Sequence, residues 1–133
     1  MIKKVIDNGM LIALIGSFED LGKGNNFLTE NELPMQVGVM KVDKGKISNH
    51  IHKIRNRQTK SISNEFHLVL KGKIQVSLFN YKKELVNKTM LSPNMFCLLI
   101  NGGHGFEIVK DGSMMVEVKL GTFSSVDDDK EKF

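Results

Sequence analysis

"EFHLVLKGKIQVSLF", residues 65–79, alternates with a period of two on both sides of a single glycine. Glu65, His67 and Val69 share one face of the first run, and Phe66, Leu68 and Leu70 share the other. After the "LKGK" turn signal (70–73) the pattern resumes, with Ile74, Val76 and Leu78 on one face and Gln75, Ser77 and Phe79 on the other. Successive strand side chains point to opposite faces, so this pattern predicts two strands separated by a turn. It also sets an acid and an imidazole on the same face as a valine.

Working outward, further short runs read as strands: "MQVGVMKV" (35–42), "MFCLLI" (95–100), "GFEIV" (105–109) and "MMVEVKL" (114–120). "MFCLLI" is continuously apolar, as a strand buried on both faces would be. Turn signals punctuate them at "DKGK" (43–46), "FNYKKE" (79–84), "SPN" (92–94), "NGG" (101–103) and "KDGS" (110–113). No stretch sustains a helical period. Short strands at regular spacing with glycine and asparagine turns predict an all-β sandwich or barrel.

The ends read differently. "GSFEDLGKGNNF" (16–27) is rich in glycine and asparagine and is expected to loop over the surface, and "SSVDDDKEKF" (124–133) is expected to be a polar, solvated C-terminal tail. The expected organisation is an N-terminal strand and loop region over 1–26, one β domain over 27–123 and the tail over 124–133.

A chain of 133 residues is long enough for one domain with its own core. Cys97 is the one cysteine, so no internal disulfide forms, which fits a reducing cytoplasm. The apolar run "MLIALIG" (10–16) is far short of the ~20 residues a membrane span needs, and no secretory leader pattern occurs. The net charge of +4 comes from scattered lysines. The basic stretch "HKIRNRQTK" (52–60) lacks interleaved aromatics, so neither nucleic acid nor membrane is expected as a partner.

The chain has four histidines, three of them between residues 49 and 67. His50 and His52 are two apart, so on a strand they share a face, and His104 follows the "NGG" turn. Three histidines and Glu65 on facing strands suit one divalent transition ion (Zn, Fe, Mn, Ni or Co), with His50, His52, Glu65 and His104 as expected ligands. An HxH pair also occurs as two surface histidines. His67 would make a fifth ligand and is expected to line the cavity off the metal, where it is the candidate catalytic base. Cys97 lies in an apolar run and reads as a buried core thiol.

This segment resembles the first motif of the cupin superfamily: Gly45, then His50-Ile51-His52, then Glu65, six residues and Gly72. "NGGHGF" (101–106) resembles the second motif, without its proline. Twelve residues separate His52 from Glu65, where the family has three or four. The resemblance covers about 27–123 and implies a cupin-type jelly-roll β-barrel with His50, His52, Glu65 and His104 on a metal. The chain also looks like small cupins associated with bacterial surface-polysaccharide biosynthesis, and "GKISNHIHK" (45–53) looks like a strand of nucleotide-sugar ketoisomerases of the same fold.

These resemblances imply a metal-dependent isomerase or epimerase acting on a sugar or nucleotide-sugar. The alternatives are a dioxygenase-type cupin and a non-catalytic small-molecule-binding cupin. Arg55 and Arg57, in the insert between His52 and Glu65, are expected to grip an anionic group of the substrate. The apolar Phe66, Leu68 and Leu70 face is expected to be covered by a second copy of the chain in a homodimer, as is typical of small cupins.

Overall fold

The computed structural model describes residues 1–50, 52–53, 64–120 and 131–133. It is all-β, with one 3-10 turn at Phe18–Asp20 as the helical element among the described residues. The strands are β1 (Lys3–Asp7), β2 (Met10–Ser17), β3 (Gly24–Phe27), β4 (Gly38–Lys41), β5 (Glu65–Lys71), β6 (Ile74–Phe79), β7 (Leu85–Leu91), β8 (Met95–Leu99), β9 (Gly103–Ile108) and β10 (Met114–Lys119). They form a five-stranded sheet ordered β1-β2-β8-β5-β10, a three-stranded sheet ordered β7-β6-β9 and the β3-β4 pair. Each pairing is antiparallel.

The two alternating runs of residues 65–79 therefore belong to different sheets. Gly72, at φ 85°, turns the chain from β5 in the large sheet to β6 in the small one, in a conformation that side chains with a Cβ rarely adopt. A Cβ there would also collide with Ser113.

Period-two patterning decides what the sheets bury. Val69, Cys97 and Leu99 from the large sheet meet Ile74, Val76, Leu78 and Leu91 from the small one in a shared apolar core. The opposite face of the large sheet forms a second core, where Leu14, Phe96 and Leu98 pack with Met35 and Ile100. Strand β8 contributes Cys97 and Leu99 to one core and Phe96 and Leu98 to the other, which is why its sequence shows no alternation. Phe96 forms a triangle of stacked rings with Phe18 and Phe66, whose centroids lie 5.4 and 5.6 Å from its own and 6.3 Å from each other.

The second core is closed by the chain's own 28–37 segment. Leu28, Leu33 and Val37 pack onto this core, as do the half-buried Phe66 and Leu68, while Leu70 stays exposed. The face that the sequence assigned to a second copy is thus partly covered from within. The 16–27 stretch is not all loop, because it contains the 3-10 turn and β3. Strand β7 carries no clean alternation, and its pairing with β6 shifts register at Leu78/Phe79. Among the described residues no helix is long and apolar enough to cross a membrane.

Candidate metal centre

The site forms where the inner face of the large sheet meets β9. Odd-numbered residues of β5 point inward, and Glu65, His67 and Val69 are all buried. Strand β9 runs antiparallel to β6, with His104 opposite Leu78, and turns its imidazole toward the same space. The positive φ of Gly102 (78°) makes the tight entry into this strand possible, and a Cβ on it would strike the Phe79 carbonyl oxygen.

Glu65 sits at the centre. Its Oε2 lies 2.6 Å from His104 Nε2 and 3.3 Å from His67 Nε2, and its Oε1 lies 3.3 Å from Lys119 Nζ. Each of Glu65, His67 and His104 offers one ligand atom, and these atoms lie within 4.8 Å of one another. Phe106, two residues after His104 and on the same face of β9, packs against both imidazoles at 4.7 and 4.8 Å.

Burial pushes the Glu65 carboxyl up, but hydrogen bonds from His104 and His67, and their charge, outweigh it and hold the group well below the usual carboxylate range. Glu65 is therefore ionised. Both Nε2 atoms aim at it, and both Nδ1 atoms are buried without a hydrogen-bond partner among the described residues.

Strand β10 completes the network. Its register with β5 sets Lys119 opposite Glu65 and Glu117 opposite His67. Glu117 Oε1 is 3.1 Å from His67 Nε2. The sequence reading did not single out either residue. The signal was present in "VEVK" (116–119), where two charges alternate with valines on an apolar strand.

The expected site residues separate. The structure brings Glu65 and His104 together, and with them His67, which the sequence reading had placed off the metal. His50 and His52 are both exposed and outside any strand, with their rings edge to face and centroids 4.9 Å apart, and are not part of the cluster. Arg55 and Arg57 lie outside the described residues. Cys97 is buried, and burial pushes its thiol up to about 12.

Two imidazole nitrogens and a carboxylate oxygen, converging in a buried space, form a donor set that suits a divalent transition ion. Lys119 on the other carboxylate oxygen leaves Glu65 one oxygen directed at the imidazoles. Fold and site thus define an all-β protein of stacked antiparallel sheets with a buried cluster able to hold a metal ion. No protein-family model, curated protein or solved structure matches the chain.

Proposed function

We propose that the chain is a metal-binding protein with a cupin-type jelly roll, that Glu65, His67 and His104 hold one divalent transition ion, and that it isomerises or epimerises a sugar or nucleotide-sugar. The observation that carries the metal reading is the convergence of three ligand atoms within 4.8 Å, two on buried side chains and the third on half-buried His104. The stacked antiparallel sheets and the glycine turns before β6 and β9 support the jelly roll. The motif resemblance supports the sugar chemistry.

The ion would supply Lewis acidity to stabilise an enediolate beside a substrate carbonyl. His67 is wholly buried, so its part is to hold the ion. A base within reach of substrate is still required. Glu117, whose side chain is 43% exposed, is the accessible carboxylate of the network and takes that role. Arg55 and Arg57 would hold an anionic group of the substrate.

Metal analysis of the purified protein and of His67→Ala and His104→Ala tests the cluster: both variants lose the ion if it binds there. His50→Ala and His52→Ala in the same series decide whether the HxH pair adds ligands. Deuterium exchange from solvent into candidate sugars tests the chemistry, and its absence across a broad panel counts against an isomerase.

A two-histidine, one-carboxylate set is also the ligand set of non-haem iron oxygenases. That composition favours oxygen chemistry as the second reading. Iron-dependent oxygen uptake would select it. A homodimer remains part of the proposal, supported by Val116 and Val118, 40% and 50% exposed on edge strand β10. A single 15.0 kDa species in sedimentation equilibrium contradicts it.

A further inference from the structure

We propose that Phe79 and Lys83 form a subsite for a ring-bearing anion at the mouth of the cavity above Glu65 and His104, and that Phe133 and Glu131 fill this subsite as a built-in stand-in for the ligand. The assignment deepens the functional reading above and rests on it for the identity of the reacting centre, but the subsite itself can be tested without metal.

A cavity of about 640 Å³ runs from Glu65 and His104 to Phe79, Lys83 and residues 131–133. That volume falls in the range of small-molecule sites. Gly103 and Gly105 also line it, and their lack of side chains leaves room beside the imidazole. At the mouth, the Phe133 ring meets Phe79 edge to face, with centroids 5.0 Å apart. Lys83 Nζ donates to Glu131 Oε1 at 2.7 Å and sits 5.8 Å from the Phe133 ring centroid. Lysine is thus engaged by a carboxylate and a π face together, and Phe79 by a ring.

Turn geometry fixes this pair. The Asn80 side-chain oxygen accepts from the Lys82 and Glu84 backbone N–H groups, and Lys83 takes a positive φ of 67° between them. The subsite is therefore built by the β6–β7 turn. Its occupants are held lightly: the Glu131 side chain is 75% exposed and Phe133 is 64% exposed. An exposed ion pair and one ring contact are easily displaced.

The chemistry of the occupants defines what displaces them. It is a ligand that offers a flat ring to Phe79 and a carboxylate or phosphate oxygen to Lys83, with the rest reaching toward His104. Such a ligand competes with the chain's own residues, so its apparent affinity falls by the fraction of time the subsite is open.

The test uses phenyl phosphate as probe, with inorganic phosphate and benzyl alcohol as controls that lack the ring or the charge. Binding is read by chemical-shift titration of the full chain. The double variant Glu131→Ala/Phe133→Ala is expected to bind phenyl phosphate about 10-fold tighter than the parent, the factor for a subsite filled about nine-tenths of the time. Adding Lys83→Ala or Phe79→Ala is expected to remove that gain. Unchanged amide spectra away from the mouth confirm that the variants fold. Equal binding by parent and double variant, or equal binding of phenyl phosphate and both controls, overturns the proposal. Metal content is measured in parallel with cobalt(II), so loss of the metal reading and loss of the subsite register separately.

Discussion

Glu65→Gln probes the cluster most directly, because it keeps the shape of the side chain and removes only its charge. The parent carboxylate is 4% exposed and has His104, His67 and Lys119 around it at 2.6, 3.3 and 3.3 Å. Removing one partner from a buried charged group costs about 3–5 kcal/mol, and the retained amide oxygen places this change near the lower end. Unfolding entropy of about 2.1 cal/mol/K per residue gives roughly 0.28 kcal/mol/K for the whole chain. A loss of about 3 kcal/mol therefore lowers Tm by about 10 °C in metal-free buffer, read by circular dichroism. Cobalt(II) at about 100 times its Kd adds roughly 2.7 kcal/mol to the parent, again about 10 °C, and nothing to the variant. The sign with pH follows from the depressed Glu65 carboxyl. Its contribution is present above the ordinary carboxylate value of 4.5 and is lost as pH falls toward the lower folded value. The gap in Tm between parent and variant should narrow below about pH 4.5. Equal melting of the two proteins without metal would refute the buried ion cluster. A parent that no divalent transition ion stabilises would refute the metal assignment.

Phe96→Ala removes a fully buried ring that packs on two others and should cost about 3–5 kcal/mol, seen as a lower urea midpoint at unchanged slope. Cys97, pushed up to about 12 by burial, should resist iodoacetamide at pH 8 in the native state and react fully in denaturant. Because its folded value is raised above 9.0, the stability this adds is present below pH 9 and fades as pH climbs toward 12. Gly102→Ala should lower Tm by more than Gly112→Ala: both sit at positive φ, but only the Gly102 substitution drives a Cβ into the Phe79 carbonyl.

Parity along the strands was the legible part of this chain. It placed Glu65, His67 and Val69 together on the inner face, and the continuous apolar run at 95–100 marked a strand shared by two cores. What parity does not carry is the partner strand. Residues opposite Glu65 and His67 are set by pairing across about fifty positions, so Lys119 and Glu117 were hidden although their own alternation was visible. Strand β7 was hidden for a different reason: its burial lacks a regular alternation, and a bulge breaks its register with β6. The HxH pair stood out as a motif. Yet a motif fixes which side chains share a face of a strand, and residues 50 and 52 are in no strand.

The same parity makes the cluster a choice rather than an accident of packing. Positions 65, 67 and 69 of β5 are equivalent, and Val69 shows what a purely structural side chain looks like there: fully buried and in the apolar core. Replacing buried ionic groups with apolar ones of similar volume is often neutral or stabilising, so stability alone does not explain an ionised carboxylate and two imidazoles in such places. Among the described residues the buried carboxylate and imidazole gather at one end of the core, next to His104 and the cavity that Glu65 and His104 line. Functional sites are where proteins break their own folding rules. Here the break gathers three metal-type donors, of which Glu65 and His104 line a cavity wide enough for a small molecule and His67 is buried behind them.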